Sequence, residues 1–482
     1  VRRIGVVVVV GTLALLGLRA AKAEEPGVAP VATSTPASST AAASAGLDPA
    51  AFLSDDPDHF FRHAYLDEHV WFSGQVNLIF QAHPGFLADY SGPHSLDRHR
   101  EEKLSEVASL FFGVRPFAFT ELMVDAENAA GKGLSDALGV AAFTNLDVVR
   151  NPDLGAEPYL GRIVLHQTIP LSDTLVDNPN QGPLSFRSQV PERRIDLRIG
   201  KFSLPDFFDT NGPGSDSHFQ FMNWAIANNA AWDYAADTRG YTYGVEAEYQ
   251  DELFAARFAA ATMPKVANGI DIDWRLDQAH AEYLELEVHG KALGDQPGAL
   301  RLLGYANSAR MGNYKDSLEL FEAGVGTVPD ITATRSARRT KLGVGVNVEQ
   351  QIADIVRVFA RAGWNDGRNE SFAYTECENT VEVGFDLRGD LWHRERDRFG
   401  AAFVSDGLGN WHRRYLQAGG QGFLLGDGAL SYQRETVVEC YYTFRLPFGI
   451  SFGPLYQHIW NPGYNHDRGP VDVYGLRFHL EL

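Results

Sequence analysis

The sequence predicts an all-β fold: a transmembrane antiparallel up-and-down β-barrel of about 16 strands, preceded by a short N-terminal helix. Three observations predict it. Apolar and polar residues alternate with period two from Val70 to the end of the chain. Glycine (47) and aromatic residues (12%) are abundant, as tight turns and interfacial girdles require. The last strand, from Tyr474 to Leu482, alternates up to the terminal residue, and an export signal stands at the other end.

Composition narrows the field. Lys+Arg total 42 and Asp+Glu total 62, a net charge of -20, which excludes a nucleic-acid binder working through a basic face. A mean hydropathy of -0.21 excludes a polytopic helical membrane protein. A hydrophobic share of 44% excludes a wholly disordered chain, and two cysteines exclude a disulfide scaffold.

The elements follow in order. Residues 1–23 read as a secretory signal: Arg2 and Arg3, an apolar run from Ile4 to Leu18, then the small-residue site Ala21-Lys22-Ala23. Its removal takes Arg2, Arg3, Arg19 and Lys22 and no acid; 42 less these four leaves 38 bases against 62 acids, or -24. Residues 24–48 are rich in Ala, Pro, Ser and Thr and lack the large apolar side chains a core needs, so they are expected to be disordered. Residues 49–69 suggest a short amphipathic helix carrying Phe52, Phe60, Phe61 and Tyr65. His59 and His63 at i, i+4 lack further ligands, which favours a polar helix face over a metal site.

Residues 70–482 form the barrel domain. Phe72, Val76, Leu78 and Phe80 oppose Ser73, Gln75 and Asn77. Val245, Ala247 and Tyr249 oppose Glu246 and Glu248; Leu284, Leu286 and Val288 oppose Glu285, Glu287 and His289. Leu342, Val344, Val346 and Val348 oppose Lys341, Gly343, Gly345 and Asn347. Val438, Cys440, Tyr442 and Phe444 oppose Glu439, Tyr441, Thr443 and Arg445. Alternation alone also suits a soluble sandwich. Its persistence over the whole domain and the aromatic bias to the apolar face favour lipid outside and a wet lumen inside. Spanning strands need about 9–11 residues, and roughly 410 residues at about 25 per strand and connection give around 16, with 18 as the alternative even count. Parity places Cys377 and Cys440 on the outer face with one strand between them. Two strand spacings put them about 10 Å apart, beyond disulfide reach.

No catalytic signature is present: no G-x-S-x-G, H-E-x-x-H or phosphate loop. Asp271 with Asp273, or Glu285 with Glu287, read as a hydrated polar wall rather than paired hydrolytic carboxylates. The densest motif, Arg198 to Gly244, breaks strand alternation and reads as a long functional loop. Trp224, Trp232 and Tyr234 lie beside Asn228, Asn229 and Asp233, a mixture suited either to stacking and hydrogen-bonding sugars or to a self-packed loop core.

The motifs resemble the carbohydrate-selective porins of Gram-negative outer membranes, the OprB-type family. Gly200-Lys-Phe-Ser203, Asp206 and Phe208-Asp-Thr-Asn211 carry the likeness, with Phe221-Met-Asn-Trp224 and the run Trp232 to Thr242. Gln81 to Phe86, Gly131 to Asp136, Gly363 to Gly367 and Asn461 to Pro470 extend it. His166 and Leu455 stand where the family pattern suggests Arg and Asp. The resemblance implies passive diffusion of mono- and oligosaccharides into the periplasm through an outer-membrane pore narrowed by inward-folded loops. It implies no chemical step and no cofactor; the partners are carbohydrate solutes and outer-membrane lipid. Parity supplies the candidate lining: Glu121, Asp125, Glu127, Arg162, His166, Arg194, Asp196, Arg198, Glu246, Glu248, Arg257, Arg301, Glu439 and Arg445. The alternative is an outer-membrane barrel that binds polysaccharide or serves its export, with the N-terminal segment contacting a periplasmic partner. Whether three barrels associate as a homotrimer stays open at this point.

Overall fold

A computed structural model describes residues 69–148, 154–178, 180–291 and 295–481. The expected leader, the 24–48 segment and the helical segment up to residue 68, with His59 and His63, lie outside the described residues.

Sixteen long strands run antiparallel to their neighbours. They are β1 (Val70–His83), β2 (Glu101–Phe117), β3 (Thr120–Gly131), β4 (Tyr159–Pro170), β5 (Arg194–Phe202) and β6 (Thr242–Gln250). Next come β7 (Phe254–Pro264), β8 (His280–Gly290), β9 (Gly298–Ala309), β10 (Arg339–Ala353) and β11 (Val356–Asn365). The last five are β12 (Asn379–Gly389), β13 (Arg394–Gly407), β14 (Glu435–Arg445), β15 (Ile450–Trp460) and β16 (Val471–Glu481). β1 pairs with both β2 and β16, so the sheet closes with no free edge, the condition for crossing a bilayer with strands. Among the described residues no helix is long and apolar enough to cross a membrane.

The period-two pattern becomes two surfaces. Leu110, Leu165, Ile199, Leu284, Val344, Val383 and Leu476 are exposed on the outside. Asn77, Glu246, Glu285, Asn347, Glu439 and Arg477 are buried inside. Aromatic rings gather at both strand ends. Phe444 stacks on Phe452 at 4.9 Å near one rim, and Tyr243 meets Trp274 at 5.0 Å near the other. Those belts mark the two lipid–water interfaces.

The two ends differ. Turns 118–119, 251–253, 354–355, 390–393 and 446–449 are short, whereas 132–158, 203–241, 310–338 and 408–434 at the opposite end are long. Short turns face the periplasm and long loops the exterior in such barrels. One periplasmic connection breaks this rule: 171–193 is long and holds its own hairpin, Leu175–Asp177 with Gln189–Pro191.

At the outer end, helix α1 (Tyr314–Glu322) and helix α2 (Asn410–Gln417) pack together. Tyr314 stacks on His412 at 4.1 Å, within an apolar cluster containing Leu318, Ile331, Leu416 and Leu425. The hydrophobic core proper lies inside the barrel, where the 203–241 loop folds down against the wall. Phe208, Trp232 and Tyr283 form its aromatic centre, and Trp224 stacks on Tyr374 at 5.1 Å and 7°.

The cysteines require one correction. Cys440 is half-buried on the outer face of β14, as parity predicts. Cys377 is not on the outer face: β12 begins two residues later at Asn379, so strand parity does not reach it. Cys377 is buried at the loop root, its Sγ 3.7 Å from Asp406 Oδ1, and both thiols are free.

Candidate functional site

Neighbouring strands bring inward side chains about 5 Å apart, so residues in register face each other across the wall. Here register pairs alternate in charge. Arg198 faces Glu246, Glu248 faces Arg257, Arg257 faces Glu285, and Glu287 faces Arg301. The contacts form a continuous ladder. Arg198 Nη1 reaches Glu246 Oε2 at 2.7 Å and Glu248 Oε2 at 3.1 Å. Arg257 bridges Glu248, Glu285 and Glu287 at 2.9, 2.9 and 2.5 Å. Arg301 continues to Glu287 at 3.0 Å and Glu349 at 2.8 Å. On the adjacent strands His166 joins Glu121 at 2.9 Å and Asp196 at 2.8 Å, and Arg194 completes the row on Asp196 at 2.7 Å.

Three wall carboxylates, one of them the ladder's Glu285, hold loops. Glu439 accepts the backbone N–H groups of Met222 and Asn223 at 2.8 and 2.9 Å. Glu435 accepts those of Ala141 and Ala142 at 3.1 and 2.7 Å. Glu285 accepts that of Asp209 at 2.8 Å. Loops folded into a lumen leave many amide groups away from water, and a carboxyl oxygen offers them an acceptor. Glu439, a lining candidate by parity, therefore uses both oxygens as a loop anchor. Arg445 lies inside as well, its guanidinium 4.2 Å above the Phe219 ring.

Most of the loop aromatic–amide set is packed. Trp232 and Asn229 are each only 1% exposed. Asn229 donates to Ala362 O at 3.1 Å, and Asp233 accepts Phe372 and Ala373 N–H groups and pairs with Lys341 at 3.3 Å. Asn228 is buried in the same core. Trp224 and Tyr234 also reach a cavity of about 220 Å³ between the loop and the wall of β2–β4.

That cavity combines rings and charges. Tyr159, Tyr241, Arg162, Arg239, Glu127 and Asp237 line it. The Tyr241 hydroxyl donates to Glu127 Oε2 at 2.9 Å, Tyr159 also bonds Glu127, and Arg239 lies 3.7 Å above the Tyr159 ring. Asp237 accepts Arg239 and Tyr241 N–H groups at 2.9 and 3.2 Å. Burial raises its carboxyl above the usual aspartate range, opposed by the Tyr241 N–H and by Lys201. Arg162 crosses the floor. It holds Asp125 at 2.6 Å and grips Asp206 at the loop root with two bonds. Asp206 and Arg198 in turn line a second cavity, of about 280 Å³, toward the periplasm.

Sequence reasoning missed Asp209, Arg361 and Glu382, a buried cluster in which Arg361 meets Asp209 at 3.2 Å and Glu382 at 3.4 Å. Asp209 stood inside the recognised motif; Arg361 and Glu382 share the inward parity of β11 and β12 and face each other in register.

A closed sheet with an apolar exterior, loops packed into its lumen and a wall of paired charges defines an outer-membrane diffusion channel. The model of the carbohydrate-selective porin, OprB family matches residues 119–482. The chain belongs to that family, and it is an outer-membrane sugar channel. Among solved structures, the high-pH structure of Pseudomonas putida OprB aligns with a TM-score of 0.66 at 16% identity, over 89% of this chain and 100% of that one. The outer membrane channel DcaP of Acinetobacter baumannii aligns with a TM-score of 0.47 at 12% identity, over 86% of this chain and 97% of that one. No curated protein matches the chain.

Proposed function

We propose that mono- and oligosaccharides diffuse passively through the gap between the 203–241 loop and the wall of β2–β7, touching Arg162 and the ladder headed by Arg198. The observation that carries this reading is the cavity of about 220 Å³ beside Arg162, where tyrosine rings stand next to guanidinium and carboxylate groups. A sugar presents C–H faces to rings and hydroxyls to charges, so such a wall replaces the hydration the solute loses. Each contact is weak because the wall charges already have partners, and a transported solute must also leave. The reading contains no bond-making step. Charge alternation along the ladder pairs each guanidinium with neighbouring carboxylates on the same wall, so their fields largely cancel and neither ion sign has a clear path.

Liposome swelling with a panel of sugars tests the reading. Swelling with monosaccharides, faster than with neutral polyols of equal size, is expected. Intact insertion without swelling would replace it with a sealed polysaccharide-binding barrel. Association of three barrels belongs to the same proposal, and chemical cross-linking of the detergent-extracted protein checks it; a periplasmic contact through the N-terminal segment belongs to the polysaccharide-binding alternative and is checked by cross-linking in intact cells.

A further inference from the structure

The 171–193 connection lies at the end where the other hairpins turn tightly, yet it does not hang free below the rim. Its side chains enter the barrel. Phe186 is buried, its ring 6.2 Å from the inward Trp71 of β1. Gly113 of β2 makes room for it: a Cβ there would stand 2.8 Å from the Phe186 ring. The connection leaves β4 and returns at β5, so seating Phe186 against β1 and β2 carries it past β3 and over part of the periplasmic mouth.

The crossing is pinned. Arg187 N–H donates to Glu121 Oε1 at 3.2 Å, and the Arg187 guanidinium bonds Ala118 O and lies 4.4 Å above the Phe119 ring. Asn178 Nδ2 donates to Ser185 Oγ and Arg187 O, both at 3.0 Å, which staples the hairpin's own neck. Its tip, with Asn180, Gly182, Pro183 and Ser185, lines the cavity of about 280 Å³. The facing side is Asp206 at the loop root with Arg198, Glu248 and Arg257, the last three being the start of the charge ladder.

We propose that the 171–193 connection is a second constriction, entering from the periplasmic end, and that it sets how a sugar leaves the channel. A solute that has passed the Arg162–Asp206 pair meets a chamber whose outer side is the 203–241 loop and whose exit side is this hairpin. The backbone groups and amides at its tip offer hydrogen-bond partners to hydroxyls opposite the ladder. The exit step, not entry alone, then discriminates by solute size. This rests on the channel reading above.

The test uses the full chain in planar bilayers, with glucose and a trisaccharide added from either side. Two variants are compared with wild type: deletion of residues 180–186, and Phe186→Ala, which keeps the chain length and removes the seat. Folding is checked by heat-modifiable migration. The deletion is expected to raise conductance about two-fold and to shorten trisaccharide block from the periplasmic side more than from the outer side. Phe186→Ala is expected to shift both in the same direction with added current noise. If the deletion does not fold, Phe186→Ala decides. Folded variants with wild-type conductance and symmetric, unchanged block overturn the proposal while leaving the channel reading intact. A wild-type protein that neither conducts nor is blocked by sugar overturns both.

Discussion

Arg162 and Asp206 meet fork to fork, Nε to Oδ2 at 2.8 Å and Nη2 to Oδ1 at 2.7 Å, with Nη1 left over for Asp125 at 2.6 Å. One partner belongs to the wall and the other to the root of the inward loop. The pair therefore ties loop to wall, and it stands where the two chambers adjoin.

Breaking this pair is expected to change both passage and folding. Arg162→Lys keeps the charge but loses the two-pronged geometry, so sugar block should weaken about three-fold while the barrel folds normally. Arg162→Ala strands the buried Asp125 and the half-buried Asp206, which should cost somewhat less than the roughly 3–5 kcal/mol of a fully buried pair broken on one side. Bilayer recordings and the temperature of heat-modified migration check the two variants. Unchanged sugar block in folded Arg162→Lys would remove this pair from the path.

Glu439 should govern how firmly the loop is seated. Glu439→Ala leaves the Met222 and Asn223 N–H groups without acceptors, at about 1–3 kcal/mol for each buried group. Frequent conductance substates are expected, with fewer in Glu439→Gln, which keeps one acceptor oxygen. A quiet, wild-type trace from Glu439→Ala would contradict the anchoring role.

Backbone clearance at Gly363 offers a test from the wall side. A Cβ there would lie 2.0 Å from Asn229 Oδ1, so Gly363→Ala must displace the Asn229 amide from its bonds to Ala362 O and the Ala231 N–H and loosen the loop's seat. Gly304 has nothing within 4 Å of its added Cβ and serves as control. Altered conductance in Gly363→Ala with a wild-type Gly304→Ala is the expected pattern.

Selectivity should depend on pH through Asp237. Burial raises its carboxyl, so on acidification it takes up a proton before an ordinary aspartate would. Losing a negative charge from the cavity lowers the cation-to-anion permeability ratio as pH falls toward the aspartate range from above. Reversal potentials across a salt gradient measure this. Asp237→Asn should start at the lower ratio and lose that part of the pH response.

The lipid-facing assignment is tested at Val344, 57% exposed on β10. Val344→Arg on the hydrocarbon face should cost about 2–4 kcal/mol of stability in lipid, read by denaturant titration in vesicles. A neutral effect would mean that this face does not touch lipid.

The strands were readable because period two is a local property. Leu284 and Glu285 point opposite ways whatever surrounds them, and a closed sheet of this length leaves one medium for each face. Register was not readable, since facing Arg257 with Glu285 depends on pairing between distant segments. The same limit explains Trp232: its composition suits sugar stacking, but only Phe208 and Tyr283, far away in the chain, decide that it is packed. Cys377 shows parity failing two residues beyond a strand end. The 171–193 hairpin and the α1–α2 pair follow long-range contacts that no short window contains.

The carboxylates of Glu285, Glu435 and Glu439 grasp main-chain amides, which every residue but proline provides. The loops they hold can thus exchange one side chain for another without losing their moorings. A barrel built this way can be retuned to a new solute by rewriting loop residues alone, while the scaffold that inserts into the membrane stays as it is.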